Sequence, residues 1–133
     1  MPVEGGGKGR AVLVVEDSEN SAATLEIAFL AIPDLSVLLA VSALQALRIL
    51  ESAQVDAVVT DLNMPRMDGF ELIRRIREDR RLASTPIIVV SADTDPATPE
   101  RIAQLGVSAF FAKPYSPAQV RQKLEQILDG KPE

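Results

Sequence analysis

The sequence predicts an α/β fold: a five-stranded parallel sheet, doubly wound by helices into a (βα)5 three-layer sandwich. Apolar, β-rich runs alternate five times with segments of helical periodicity, without repeats or an internal linker. The runs are continuous rather than alternating, as strands covered on both faces require. Strands that follow one another through helices run parallel with right-handed crossovers. At 133 residues the chain fits one domain.

Ala11 to Val15 is an unbroken apolar run and reads as the first strand. Helical spacing follows from Glu19 to Ala31 through Ala22, Ala23, Ile27 and Leu30, and Pro33 ends it. Leu35 to Val41 is the second strand. Ser42 and Gln45 form a capping box for a helix whose apolar face is Leu44, Leu47, Leu50 and Ala53. The third strand covers Asp56 to Thr60. After the loop at Pro65, the residues Phe70, Ile73 and Ile76 mark a third helix. Pro86 precedes the fourth strand, Ile87 to Val90, which delivers Ser91 and Ala92 to its end. Asp95-Pro96 and Thr98-Pro99 each offer a cap followed by proline, so the fourth helix is expected to start late and to end at Gly106. Val107 to Ala112 is the fifth strand. Ser116-Pro117-Ala118-Gln119 then caps a last helix carrying Val120, Leu124, Ile127 and Leu128. Residues 1–9 are polar and glycine-rich and read as a disordered lead-in, with the domain at 10–130 and a tail at 131–133.

Composition excludes whole classes of chemistry. With no Cys and no His there are no disulfides, thiolate nucleophiles, Cys/His zinc sites or imidazole mechanisms. A net charge of −5 argues against direct nucleic-acid binding. The basic cluster Arg74, Arg75, Arg77, Arg80 and Arg81 has Glu71, Glu78 and Asp79 within helical reach, so it reads as a solvated face. No apolar run is long enough to span a bilayer and no secretory signal is seen, so the expectation is a cytoplasmic protein without membrane insertion.

In parallel α/β sheets the site lies outside the carboxyl ends of the strands, where strand order reverses. Glu16 and Asp17, Asp61, Ser91 and Lys113 all fall at such ends. Three acids brought together repel, and a bound cation relieves the repulsion; hard oxygen ligands suit Mg²⁺. Asp61 is the best nucleophile available, since a carboxylate can take up a phosphoryl group when a metal shields the incoming charge. Lys113 supplies a mobile charge for Asp61 and for phosphoryl oxygens, and its bond to Pro114 is a candidate for the cis form. Ser91 offers a hydroxyl donor. Gly69 and Ala92 are small either because a phosphoryl group needs room or because turns and packing require it.

Together, Val14-Val-Glu-Asp17, Asp61-Leu-Asn-Met-Pro-Arg-Met-Asp-Gly69, Ser91-Ala92 and Lys113-Pro114 make the chain resemble a receiver domain of a two-component response regulator. The resemblance is to the chemotaxis-type, single-domain kind and covers about Arg10 to Gly130. It implies a flavodoxin-like sandwich and a switch that accepts a phosphoryl group on Asp61. The donor would be a phosphohistidine of a sensor histidine kinase or histidine phosphotransfer protein. Asp17, Asp61 and the Asn63 backbone carbonyl would hold Mg²⁺, with Glu16 acting through water. Ser91 and Phe110 would form the switch, and Asn63, Ala92 and Asp93 would govern access to the phosphoryl group. The output would pass through the fourth helix, fifth strand and fifth helix to a downstream protein.

The resemblance implies no turnover of external substrates and leaves homodimerisation on phosphorylation open. One departure is the proline-rich entry to the fourth helix, Asp93 to Pro99. The chain ends just beyond the last helix, so no attached effector is expected. An aspartyl-nucleophile phosphatase is the first competing reading, but it needs an acid where Asn63 stands. A phosphate-independent binding module is the second, and the full set of acceptor-site residues speaks against it. An FMN-binding protein lacks support, because no Ser/Thr/Gly-rich phosphate loop follows the first strand.

Overall fold

Successive strand side chains point to opposite faces, so an apolar run four or five residues long needs two helical layers to cover it. The computed structural model, which describes residues 9–130, has that arrangement. The strands are β1 (Arg10–Val15), β2 (Leu35–Ala40), β3 (Ala57–Thr60), β4 (Ile87–Ser91) and β5 (Ala109–Ala112). The helices are α1 (Glu19–Phe29), α2 (Ala43–Ser52), α3 (Gly69–Glu78), α4 (Thr98–Gln104) and α5 (Pro117–Leu128). All strands run parallel in the order β2-β1-β3-β4-β5, so strand order reverses between β1 and β3. The lead-in and the tail expected from the sequence lie outside the described residues, except for Gly9.

Alternation sorts the sheet into two cores. Leu13, Val15, Val58, Ile87 and Val89 meet Ala46, Leu50, Leu72, Ile73, Ile76 and Ile102 from α2, α3 and α4. Val12, Val14, Val59, Ile88 and Val90 meet Leu25, Phe29, Val120 and Leu124 from α1 and α5. Each buried aliphatic side chain contributes about 1.5–3 kcal/mol. Helix starts are set by local polar bonds, each worth about 1 kcal/mol. Ser18, Ser42, Asp68 and Ser116 accept from the N–H three residues on. At α2 the Ser42 Oγ accepts from the Gln45 N–H at 3.1 Å, and Gln45 Oε1 reaches back past the cap to accept from the Val41 N–H at 2.7 Å.

The structure corrects several sequence expectations. α1 buries Leu25 and Phe29, while Ile27 and Leu30 stand exposed, so the spacing read for that helix traced its outer face. α1 is apolar on both faces, and periodicity alone cannot choose between them. In α2 the buried positions are Ala43, Ala46 and Leu50; Leu44 is exposed. In α3, Leu72 joins Ile73 and Ile76 in the core and Phe70 is half-buried. β5 starts at Ala109, two residues later than expected.

The arginine cluster is not one solvated face. Arg74 and Arg75 pair with Glu71 and Glu78, but the half-buried Arg77 donates to the carbonyls of Ala83, Thr85, Leu105 and Gly106. It ties the end of α3 to the loops before β4 and β5. Among the described residues no helix is long and apolar enough to cross a membrane.

Candidate functional site

Three strand ends are carried past the last ladder pair and meet at the reversal point. Val15 stands opposite Thr60 in the register. One residue beyond, the Asp61 N–H donates to Val15 O at 3.1 Å and the Glu16 N–H to Ala40 O at 2.9 Å. On the other side the Lys113 N–H donates to Ser91 O at 2.8 Å. The backbone is therefore held like sheet while the side chains reach the rim.

Those side chains converge. Lys113 Nζ donates to Asp61 Oδ2 at 2.9 Å and to Glu16 Oε1 at 3.1 Å. Carboxylate oxygens of Glu16, Asp17 and Asp61 all lie within 4.8 Å of one another. Asp61 Oδ1 accepts from the N–H groups of Leu62 (2.6 Å) and Asn63 (3.1 Å). The Asp61 side chain is recessed but keeps 7% exposure, so it remains reachable. Asp17 is exposed at the mouth. The Lys113–Pro114 peptide is cis, as the sequence suggested.

The electrostatics follow from crowding. Burial pushes the Glu16 carboxyl above its usual range, and the Asp61 charge adds to this. Hydrogen bonds from Lys113 and the Ser18 N–H oppose the shift without cancelling it. Burial disfavours the Lys113 charge, but its bonds to Asp61 and Glu16 outweigh burial and hold the amine above its ordinary value. One ammonium faces three carboxylates, leaving excess negative charge ringed by hard oxygens. Such a donor set, open to water on the Asp17 side, fits Mg²⁺.

The remaining sequence-predicted residues surround this centre. Ser91 is fully buried; its Oγ accepts from the Asp93 N–H (3.0 Å) and Asn63 Nδ2 (3.4 Å), leaving its own proton to donate. Asn63 and Ala92 are exposed beside it. The Asp93 carboxylate turns back to accept from the Asp95 N–H at 2.8 Å, so it caps its own loop. Phe110 is half-buried against the α2–α3–α4 core.

The structure decides what made Gly69 small. A Cβ there would overlap the Asp61 carbonyl oxygen and stand 2.7 Å from Leu62 Cα. Its N–H donates to Leu62 O at 2.9 Å. Close backbone approach explains this glycine, and phosphoryl room is not needed. The sequence reading missed the two amides that orient Asp61, because backbone donors carry no residue signature. It also missed the cleft where Tyr115 and Pro117 meet Ser21 and Thr24 beside Lys113. Burial raises the Tyr115 hydroxyl above its ordinary value there.

Comparison with known proteins bears on the family and the fold. The profile of the response regulator receiver domain matches residues 12–125. The chain is 36% identical over 86 residues to chemotaxis protein CheY-3 of Vibrio cholerae, covering 65% of this chain and 66% of that protein. It is 37% identical over 84 residues to chemotaxis protein CheY of Pseudomonas aeruginosa, covering 63% and 68%. The matched stretch thus spans about two thirds of the length of these relatives.

Among solved structures, a response regulator receiver protein from Pseudomonas putida superposes with a TM-score of 0.82 at 30% identity, covering 89% of this chain and 97% of that one. The chemotaxis response regulator CheY4 of Vibrio cholerae gives a TM-score of 0.79 at 26% identity, covering 90% and 98%. With that one profile spanning most of the described residues, the chain belongs to the response regulator receiver family.

Proposed function

We propose that the protein is a phosphorylatable signalling switch, accepting a phosphoryl group on Asp61 from a phosphohistidine of a histidine kinase or phosphotransfer protein in trans. The observation that carries this reading is Lys113 Nζ bridging Asp61 and Glu16 beside Asp17. The 133 residues contain no histidine, so the phosphohistidine donor lies outside them.

The carboxylate is preoriented for in-line attack. Two backbone N–H groups hold Oδ1, while Oδ2 accepts from the Lys113 amine, its one hydrogen-bond partner among the described residues. Oδ2 forms the new P–O bond as the donor P–N bond breaks, and the leaving imidazole takes up a proton. Lys113 moves from Oδ2 to a phosphoryl oxygen and balances charge there. Asp17, Asp61 and the Asn63 backbone carbonyl would hold Mg²⁺, with Glu16 acting through water, and the ion would neutralise charge developing on the phosphoryl oxygens.

The Ser91 hydroxyl donates to a phosphoryl oxygen, and Phe110 and α4 respond through the α4–β5–α5 face to a downstream protein. Asn63 and Ala92 line the approach and set how easily water reaches the phosphoryl group. Asn63 in place of an acid supports a stable acyl phosphate over turnover of external phosphoesters.

Intact mass after incubation with a small phosphodonor and Mg²⁺ tests the proposal. The expected result is one phosphoryl addition, stable in acid and labile in base, absent in Asp61→Asn and in metal-free buffer. No addition with any donor would leave a phosphate-independent binding module. Sustained phosphate release from simple phosphoesters would favour the phosphatase reading.

A further inference from the structure

Five polar or charged side chains are buried among the described residues: Glu16, Thr60, Asp61, Ser91 and Thr98. Glu16, Asp61 and Ser91 belong to the acceptor site, and the Thr98 hydroxyl has no partner there or elsewhere among the described residues. Thr60 differs from both groups. It is fully buried at the end of β3, one residue before Asp61, and its hydroxyl donates to the Asp61 carbonyl oxygen at 2.8 Å.

The sheet itself does not call for a threonine at this position. In the ladder Thr60 stands between Val15 of β1 and Val89 of β4, both of them buried. Valine has the same branched shape and suits a strand equally well, and it would be buried without desolvating a hydroxyl. What threonine adds is the hydrogen bond to the Asp61 carbonyl.

That bond reaches the Asp61 side chain through one peptide group. The Asp61 carbonyl and the Leu62 N–H belong to the same planar trans peptide and point in opposite directions. Fixing the oxygen therefore fixes the direction of the N–H, which donates to Asp61 Oδ1 at 2.6 Å. A donor on the carbonyl also polarises the amide and strengthens its N–H as a donor. Gly69 closes on the same carbonyl oxygen so tightly that an added Cβ would overlap it. Hydroxyl and glycine together restrict how the 61–62 peptide can turn.

We propose that Thr60 is a positioning residue for phosphoryl uptake. Its hydroxyl sets the 61–62 peptide plane, and with it the amide that holds Oδ1 and leaves Oδ2 to the phosphoryl group. The proposal rests on the reading of Asp61 as the acceptor, and Thr60 acts only through Asp61.

Thr60→Val removes the hydroxyl and keeps the shape, whereas Thr60→Ser keeps the hydroxyl. Uptake is followed by intact mass at a fixed concentration of a small phosphodonor with Mg²⁺, well below the melting temperature. Thr60→Val should slow it by about tenfold, and Thr60→Ser should stay within about twofold of wild type. The Leu62 amide proton, read by NMR without phosphodonor, should shift upfield in Thr60→Val and return in Thr60→Ser. Thr60→Ala also lacks the hydroxyl and cannot crowd the site, so it should displace the Leu62 resonance in the same direction.

Wild-type uptake by Thr60→Val, a Leu62 resonance unmoved in both hydroxyl-free variants, or Thr60→Ser as slow as Thr60→Val would each overturn the proposal. The two readings fail in different ways. No uptake by wild type overturns the acceptor reading, whereas normal uptake by both wild type and Thr60→Val overturns only the role of Thr60.

Discussion

On the β1–β3 side of the rim, Asp61 is held by two amides and an ammonium, and Lys113 bridges two carboxylates while its own N–H continues the ladder. On the β4–α4 side, α4 has seven residues, starts after Ala97 with no side-chain cap, and buries a Thr98 hydroxyl that has no partner. The first region is over-determined and the second under-bonded. Phosphoryl transfer needs reacting groups fixed to within a fraction of an ångström. A response needs an element whose local stability is low enough for a small input to shift it. The chain has a fixed region and a soft one on different pairs of strand ends, joined through Ser91, which bonds to Asn63 on one side and the Asp93 amide on the other, and the proposed switch would use both.

Breaking the first region should cost most. Lys113→Ala leaves Glu16 and Asp61 buried without their cation, and in metal-free buffer the loss should be about 3 kcal/mol. The protein should still fold, with a weakened response to the phosphodonor. Mg²⁺ should restore part of the stability by taking over the charge balance. Because the folded-state amine is raised, the Lys113 contribution is fully present below pH 10.5 and is lost only as pH rises through its folded value. Denaturant titrations with and without Mg²⁺ check this; equal stability of variant and wild type without metal would show that the bridge stabilises nothing.

Gly69→Ala attacks the same region through its backbone. The new methyl must displace the Asp61–Leu62 segment or the start of α3, at about 2 kcal/mol. Moving Asp61 should also slow phosphoryl uptake more than the stability loss explains, and uptake rates measured well below the melting temperature test that. Wild-type uptake would mean Asp61 tolerates the shift.

Glu16→Gln sharpens the account in the opposite direction. Burial is the main reason the Glu16 carboxyl is raised, so its charged form costs stability at neutral pH. The folded state holds the proton more tightly than the unfolded chain, whose value is near 4.5. Glu16 therefore favours folding below 4.5, and that stability is lost as pH rises through the folded value. Without metal, Glu16→Gln should gain about 1 kcal/mol at pH 7 and nothing near pH 4. A gain that grows on acidification would reverse the sign.

The same contrast governs what the sequence reveals. The five parallel strands and the strand-end positions of Glu16, Asp17, Asp61 and Lys113 were legible because burial on both faces writes continuous apolar runs, and the rim residues close them; the order β2-β1-β3-β4-β5 was not, because apolar runs do not say which strands are neighbours. The face of α1 was not legible, because Ala23, Ile27 and Leu30 form as good a stripe as Leu25 and Phe29. Arg77 was misread for a related reason: a guanidinium that satisfies four carbonyls has the same letter as one that faces water. The late start of α4 was legible from Thr98-Pro99, but its missing cap depends on the conformation of Ala97, which no residue type specifies.

Thr98→Val probes the soft region with the smallest expected effect. Valine keeps the shape of threonine and removes the hydroxyl that is buried without a partner, so the variant should be more stable by about 1 kcal/mol, or about 4 °C in Tm. The added stability should appear as slower hydrogen exchange in α4 and not in β1 or β3. Acceptor geometry is untouched, so phosphoryl uptake should match wild type while the phosphoryl-dependent change in α4 exchange shrinks. A Thr98→Ser control keeps a hydroxyl at the position and should show no gain. If Thr98→Val instead lowers the melting temperature, the hydroxyl has a stabilising partner and α4 is better bonded than the comparison of the two regions requires.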